Sequence, residues 1–156
     1  MTTTSTAPRR PGRFSRWLQH TANARTVARL RRRGGRQMGM DLLVLHTVGR
    51  RSGAPRQNPL AFVDDGHPGW IVVASGGGER HPDWFDNLMA DTDRCAVEVH
   101  GSEPVPVTAH VLEGDERQAA WQHLSEAIRS LAKYQAKSTR VYPVVRLTPR
   151  RSIAQR

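Results

Sequence analysis

Cysteine is nearly absent: Cys95 alone stands in 156 residues. That excludes an internal disulfide and a multi-thiol metal site, and it fits a reducing compartment. No run approaches the roughly 18 uncharged apolar residues of a membrane-spanning helix. The opening Met1-Thr-Thr-Thr-Ser-Thr-Ala has no apolar centre for a secretory signal. Its Ser/Thr/Arg-rich, acid-free composition shares features with an organelle transit peptide, but it runs directly into an amphipathic segment. The seven histidines show no pair at zinc-ligand spacing with a third partner in view. Neither a Walker loop nor a Gly-x-Ser-x-Gly elbow is present. No paired carboxylates or aromatic-interleaved basic patch in the body suggest glycosidase or RNA-binding work.

Acid is missing from one end only. Residues 1–36 hold ten arginines and no Asp or Glu, and the first acid is Asp41. The other 120 residues balance at 14 basic against 14 acidic groups, so the whole excess of +10 belongs to the arm. A neutral body behind a basic arm weakens a histone-like or ribosomal-type reading of the full chain, and no nucleic-acid partner is expected.

Residues 1–13, with Pro8 and Pro11, read as a disordered lead. Phe14, Trp17, Leu18, Thr21, Ala24, Ala28 and Leu30 then fall roughly on one stripe among arginines, a basic amphipathic helix over 14–36 that Gly34-Gly35 stops. Residues 37–150 form the body and 151–156 a tail. Within the body, Leu42 to Leu45 is an apolar run suited to a buried strand. Leu60–Val63 and Ile71–Ala74 flank a turn-rich stretch and predict a β-hairpin. Cys95–Val99, Val105–Leu112 and Val144–Leu147 follow as strands. Helices are predicted over His81–Ala90 and from Asp115 to about Lys137, the latter opening on an Asp115/Gln118 capping pair. About six strands and three helices, without regular strand–helix alternation, predict a mainly β fold: an antiparallel sheet or barrel with appended helices.

Two segments carry chemistry. Between apolar strands, Gly49, Gly53 and Ser52 gather Arg50, Arg51 and Arg56. Glycines let backbone N–H groups converge on one anion, and arginines add charge-assisted bonds to phosphate or carboxylate. A solvated basic turn is the competing reading. Further on, a strand ends in Gly76-Gly77-Gly78 shortly before a helix, where a flat ring can lie against bare backbone. Trp84 and Asn87 share one face of that helix. A flexible connector with a core tryptophan is the bland alternative. Cys95, inside an alternating strand, reads as a small buried hydrophobe rather than a nucleophile.

Together the segments resemble a known family. Gly49-Arg50-Arg51-Ser52-Gly53, Arg56 and Pro59-Leu60 are similar to the first signature of the deazaflavin-dependent nitroreductases, and Ala74-Ser75, Gly77-Gly78, His81-Pro82, Trp84 and Asn87-Leu88 to the second. The resemblance covers about residues 14–150. It implies a split β-barrel related to flavin-mononucleotide-binding barrels, with the N-terminal and C-terminal helices packed on it. It also implies coenzyme F420 as cofactor and hydride transfer to an electron-poor acceptor such as a quinone, a nitroaromatic or an activated alkene. On this resemblance Arg50, Arg51, Ser52 and Arg56 hold the cofactor phosphate and the start of its acidic tail. Gln57, Asn58, Pro59, Leu60 and Ala61 continue along it, and Val73, Ala74, Ser75 and Gly76 meet its ring or ribityl-like chain. Asp83, Trp84, Phe85, Asp86 and Asn87 close the pocket. Ala61, Ser75, Ile128, Leu131 and Tyr134 face the acceptor, with Tyr134 as the candidate proton donor or substrate orienter. Ile128, Leu131 and Ala61 replace aromatic residues of the family, and Gly76 stands where a lysine is common. The resemblance therefore implies an apolar acceptor pocket, with a quinone as the first choice. Flavin mononucleotide is the alternative cofactor, and a non-catalytic F420 or flavin carrier, or a basic membrane-surface or nucleic-acid binder acting through the N-terminal arm, the alternative function. Peripheral contact of residues 14–36 with the inner face of the membrane, in a cytoplasmic protein, completes the expectation.

Overall fold

The computed structural model describes residues 13–37, 39–76 and 80–150, with the side chains of 13–22 outside that description. The lead before Arg13, the tail 151–156, Gly77-Gly78 and the side chains of Phe14, Trp17, Leu18 and Thr21 therefore lie outside the described residues. Among the described residues, four helices, α1 (Arg13–Arg33), α2 (Asp83–Ala90), α3 (Gly114–Ala127) and α4 (Leu131–Lys137), accompany seven strands. The strands are β1 (Arg36–Gln37), β2 (Met40–Val48), β3 (Pro55–Ala61), β4 (Trp70–Val73), β5 (Cys95–Glu98), β6 (Val105–Val111) and β7 (Val144–Pro149). Among the described residues no helix is long and apolar enough to cross a membrane.

All pairings are antiparallel, in the order β1-β2-β5-β6-β7-β4, with β3 on the other side of β2. A bridge between Val63 and Ile71, just past the end of β3, brings β3 and β4 together and closes the sheet into the expected barrel. The predicted hairpin is thereby corrected. Strand β3 starts earlier and pairs with β2 over seven residues, β4 pairs with β7, and only that one bridge joins the two. The 64–69 loop is too long to fix a hairpin register. It is instead pinned by Asp65, whose carboxylate takes two bonds from Arg146 of β7, at 2.8 and 2.6 Å. Arg146 holds the Asp65 carboxyl well below the usual carboxylate range.

Side-chain alternation on β2 sorts the core. Leu43 and Leu45 enter the barrel with Val72, Ala74, Val97, Val107, Val145 and Leu147, and Trp84, Phe85 and Leu88 of α2 plug one end. Val44 points outward, where Val27 and Leu30 of α1 cover it. Cover on both faces explains why β2 reads as an unbroken apolar run. The stripe on α1 differs from expectation: Ala24 and Ala28 are exposed, and Val27 with Leu30, three residues on, makes the contact.

The predicted C-terminal helix is two. Ile128 leaves the helical conformation and Ser130 restarts it, so that Leu131 is buried and Ile128 packs against the cluster around Leu124, Tyr142 and Val144. Neither Gly nor Pro marks this break; tertiary packing makes it. The predicted capping pair is also absent, since Glu113 is the N-cap and makes no side-chain cap bond.

A buried charge docks α1. Glu98 on β5, 4 % exposed, accepts Arg31 Nε at 2.7 Å and Arg31 Nη2 at 2.9 Å, and His46 Nε2 of β2 at 2.9 Å. The Arg31 bonds foremost hold the Glu98 carboxyl at about 2 despite its burial. A depressed folded-state pKa stabilises the fold above the unfolded carboxyl's value, and that contribution is lost as pH falls through about 2. Glu98→Gln should cost about 2 kcal/mol near neutral pH. In urea midpoints, the gap to wild type should close from about pH 4.5 down to about pH 2. A gap that is flat over this range would remove Glu98 from the docking of α1.

Candidate active site

The ladder between β2 and β3 ends in a tight turn. Gly49 N donates to Ala54 O and Gly53 N to Gly49 O, both at 2.8 Å, while Ala54 N donates to Ser52 Oγ at 3.2 Å. A Cβ at Gly49 would lie 2.6 Å from Ser52 Oγ and force that hydroxyl out of its bond with Ala54 N, and Gly53 has φ +68°, so glycine is favoured at both positions. The turn leaves the amides of Arg51 and Ser52 without a partner among the described residues. Ser52 Oγ already accepts from Ala54 N and from Arg56 Nη2, the latter at 3.4 Å. Its hydroxyl proton is left to donate.

This turn forms one wall of a cleft of about 260 Å³. Gly49, Arg50, Arg51, Ser52, Arg56 and Asn58 line it from the barrel, Asp83, Trp84 and Asn87 from α2, and Asn23 from α1. Register explains the barrel residues: Arg56 and Asn58 lie opposite Thr47 and Leu45, on the inward face, whereas Gln57, Pro59 and Ala61 oppose His46, Val44 and Leu42 on the other.

The three arginines are not equivalent. Arg50 is docked on α2: its backbone N and its Nη1 both donate to Asn87 Oδ1, at 3.1 and 2.9 Å, and Nη2 lies 3.6 Å from Asp83 and 3.7 Å from Asp86. Its charge is largely matched by those carboxylates. Arg56 has only the long bond to Ser52, and Arg51 is exposed with no partner among the described residues. The free cationic donors of the cleft are thus Arg51 and Arg56, beside two open amides and a hydroxyl.

The remaining predicted site residues are distributed around this cleft. Leu60 packs against the barrel core and Phe85 is buried in it, edge-on to Trp84. Asp86 is half-buried on α2. On β4 and its exit, Val73 and Ser75 are half-buried, Ala74 is fully buried and Gly76 is exposed. Leu131 and Ile128 belong to the apolar cluster under α3 and α4, and Tyr134 is 60 % exposed on α4; none of the three lines the cleft. Asn23 is a lining residue that the sequence does not advertise, being one small amide in an arginine-rich helix. Cys95 is buried, its single S–H within reach of Thr92 O or Val107 O, and burial pushes the thiol up to about 11, which suits an inert core residue.

Known proteins are similar to this chain in sequence and shape. The sequence model of a family described as F420H(2)-dependent quinone reductase matches residues 17–149. An F420H(2)-dependent quinone reductase of Mycobacterium tuberculosis (strain ATCC 25618 / H37Rv) is 36% identical over 112 residues, covering 69% of this chain and 73% of that protein. A solved structure described as an F420-H2 dependent reductase (FDR-A) superposes with TM-score 0.60 at 34% identity, over 68% of this chain and 92% of that one. Another, described as a domain-swapped dimer, gives TM-score 0.63 at 28% identity, over 85% and 98% of the two chains.

The bond that joins the two walls of the cleft is open to a direct check. Asn87→Ala removes the acceptor of two Arg50 donors and should lower stability by about 1–2 kcal/mol. Asn87→Asp keeps an acceptor oxygen facing Arg50 and should lose less. Equal losses in thermal melts of the two variants would show that acceptance by Oδ1 is not what holds α2 to the turn.

Proposed function

The chain belongs to the F420H(2)-dependent quinone reductase family, and on that premise we propose that its cleft binds coenzyme F420 through Arg51, Arg56 and the 49–54 turn to reduce a quinone. Membership makes the chain an oxidoreductase with F420 as cofactor. The observation that carries the site assignment is the donor set. Two arginines with free donors, two open amides and a serine hydroxyl suit a phosphate followed by carboxylates.

The residues present fit the cofactor end by end. Arg51, Arg56, Ser52 and the turn amides hold its phosphate, and Arg50 holds the turn against α2. Asn58 faces its hydroxylated chain. The exit of β4 at Val73–Gly76, where Gly76 brings no side chain, and the buried edge of Trp84 receive its planar end. Bound in reduced form, F420 supplies a hydride to the acceptor. The chain aligns the two planes and keeps water away from them. Tyr134 does not line the anion end of the cleft; its carbonyl accepts from Tyr142 OH, over whose ring Arg140 lies, and it is the proposed proton donor or substrate orienter.

The arginine stripe of α1 supports peripheral contact with an anionic membrane from the cytoplasmic side. Arg25, Arg29 and Arg32 recur at steps of four and three on the face away from Val27 and Leu30, and all three are exposed. Replacing them with glutamine should abolish sedimentation with phosphatidylserine vesicles at low salt. Retained sedimentation would remove these three arginines from the contact, and a wild type that does not sediment would remove the membrane from this reading.

Titration with oxidised F420, followed by deazaflavin fluorescence, tests the cofactor site. Arg51→Ala and Arg56→Ala should each weaken binding about tenfold, equivalent to about 1.4 kcal/mol. Wild type should prefer F420 to flavin mononucleotide and turn over a menaquinone analogue with the reduced cofactor. Tighter binding of flavin mononucleotide would overturn the assignment of this cleft.

A further inference from the structure

The connector between α4 and β7 carries an arginine that does not line the cleft yet grips one of its edges. Arg140 Nη1 donates to Ala74 O at 3.0 Å and Nη2 donates to Ser75 O, at the exit of β4. Nη1 also lies 3.1 Å from His81 Nδ1, just before α2. Arginine has no acceptor, so His81 Nδ1 must accept and its ring proton sits on Nε2. One guanidinium therefore ties together the two residues that follow β4 and a residue that leads into α2.

The guanidinium is itself well held. It lies 4.8 Å over the buried Tyr142 ring. Gln135 brackets the Arg140 backbone, with Nε2 donating to Arg140 O at 2.9 Å and Oε1 accepting Tyr142 N at 2.8 Å. Arg140 N donates to Ser138 Oγ at 3.2 Å. The chain turns closely around it: Gly76 has φ +57°, and a Cβ there would lie 3.4 Å from Arg140 Nη2 and 3.3 Å from Arg80 O and from Pro82 Cδ. A planar fork can bond two successive carbonyls and a ring nitrogen at once, which a lysine ammonium on a flexible stem does poorly.

We propose that Arg140 is a positioning residue for hydride transfer: by fixing Ala74–Gly76 against the start of α2, it sets the plane of the cofactor relative to the acceptor. This rests on the reading that the β4 exit receives the planar end of F420. The cofactor's anionic end is held elsewhere, at Arg51 and Arg56. Loss of Arg140 therefore affects the chemical step more than binding.

The full chain carrying Arg140→Ala or Arg140→Lys is compared with wild type in three ways. Without cofactor, hydrogen exchange at the Ala74 amide, bonded to Pro143 O, and at the Phe85 amide of α2, bonded to Pro82 O, should accelerate in both variants while the barrel core stays protected. With cofactor, kcat for a menaquinone analogue should fall about tenfold or more in Arg140→Ala, while the F420 dissociation constant changes less than about threefold, under 0.7 kcal/mol. Millimolar guanidinium should restore part of kcat in Arg140→Ala and none in Arg140→Lys, a rescue that a general loss of stability does not produce. Unchanged exchange at these amides, unchanged kcat, or a loss that guanidinium leaves unrepaired overturns the proposal. Failure of wild type to bind F420 overturns the cofactor reading as well, and it is told apart because it appears before any substitution is made.

Discussion

The register between β2 and β3 is the constraint on which the cleft depends. Leu43 opposes Leu60, Leu45 opposes Asn58 and Thr47 opposes Arg56, so a single face carries first the barrel core and then, toward the turn, the polar wall of the cleft. A slip of one residue would turn Arg56 and Asn58 outward and bring Gln57 and Pro59 in. The 49–54 turn prevents that slip. Its glycines fix the closure of the hairpin to one geometry, because a side chain at Gly49 would collide with Ser52. The turn that offers donors to an anion is thus the same turn that sets the register, and its glycines serve fold and site together.

Charge is distributed with the same economy. The acid-free N-terminal arm sends one arginine inward, Arg31 to Glu98, and that pair joins Val27 and Leu30 in holding α1 to the barrel. With α1 docked, Asn23 reaches the cleft, while Arg25, Arg29 and Arg32 face away from the barrel. Inside the cleft a similar division holds. Arg50 is matched by Asp83, Asp86 and Asn87, leaving the positive potential to Arg51 and Arg56. Net charge says little about either place, and partner lists say nearly everything.

Much of this was legible in the residues. The apolar run at Leu42–Leu45, the glycine–arginine turn and the Pro82-led helix each announce themselves through local chemistry. What escaped depends on partners distant in the chain. Pro55 and Pro59 disguise β3 as loop, yet β3 pairs only with β2 and is bridged to β4 beyond its end, so proline is tolerated as on an edge strand. The break at Ile128 has no breaker residue, because it is made by the cluster that takes Leu131 inward. Side-chain period alone could not choose between Ala28 and Val27 as the buried face of α1, since the arginines on both sides carry apolar stems. Nor could it separate Arg50 from Arg51, adjacent and chemically identical, whose roles diverge only because Asn87 sits opposite one of them.

The cleft therefore has two walls built by different physics. The barrel wall is a hydrogen-bonded ladder closed by a glycine turn, which makes it rigid. The other wall is α2, eight residues long, seated by Trp84, Phe85 and Leu88 in the end of the barrel. Apolar contacts of that kind are non-directional and set depth better than orientation. Orientation must come from the polar ties at its two edges, Arg50 with Asn87 on the side of the basic turn and Arg140 with the β4 exit and His81 on the other. Both ties are arginines whose forks bond more than one acceptor, and they enter from opposite ends of the sequence. The width of the cleft is consequently a property of the closed barrel as a whole, because neither local segment contains both the helix and the cation that aims it.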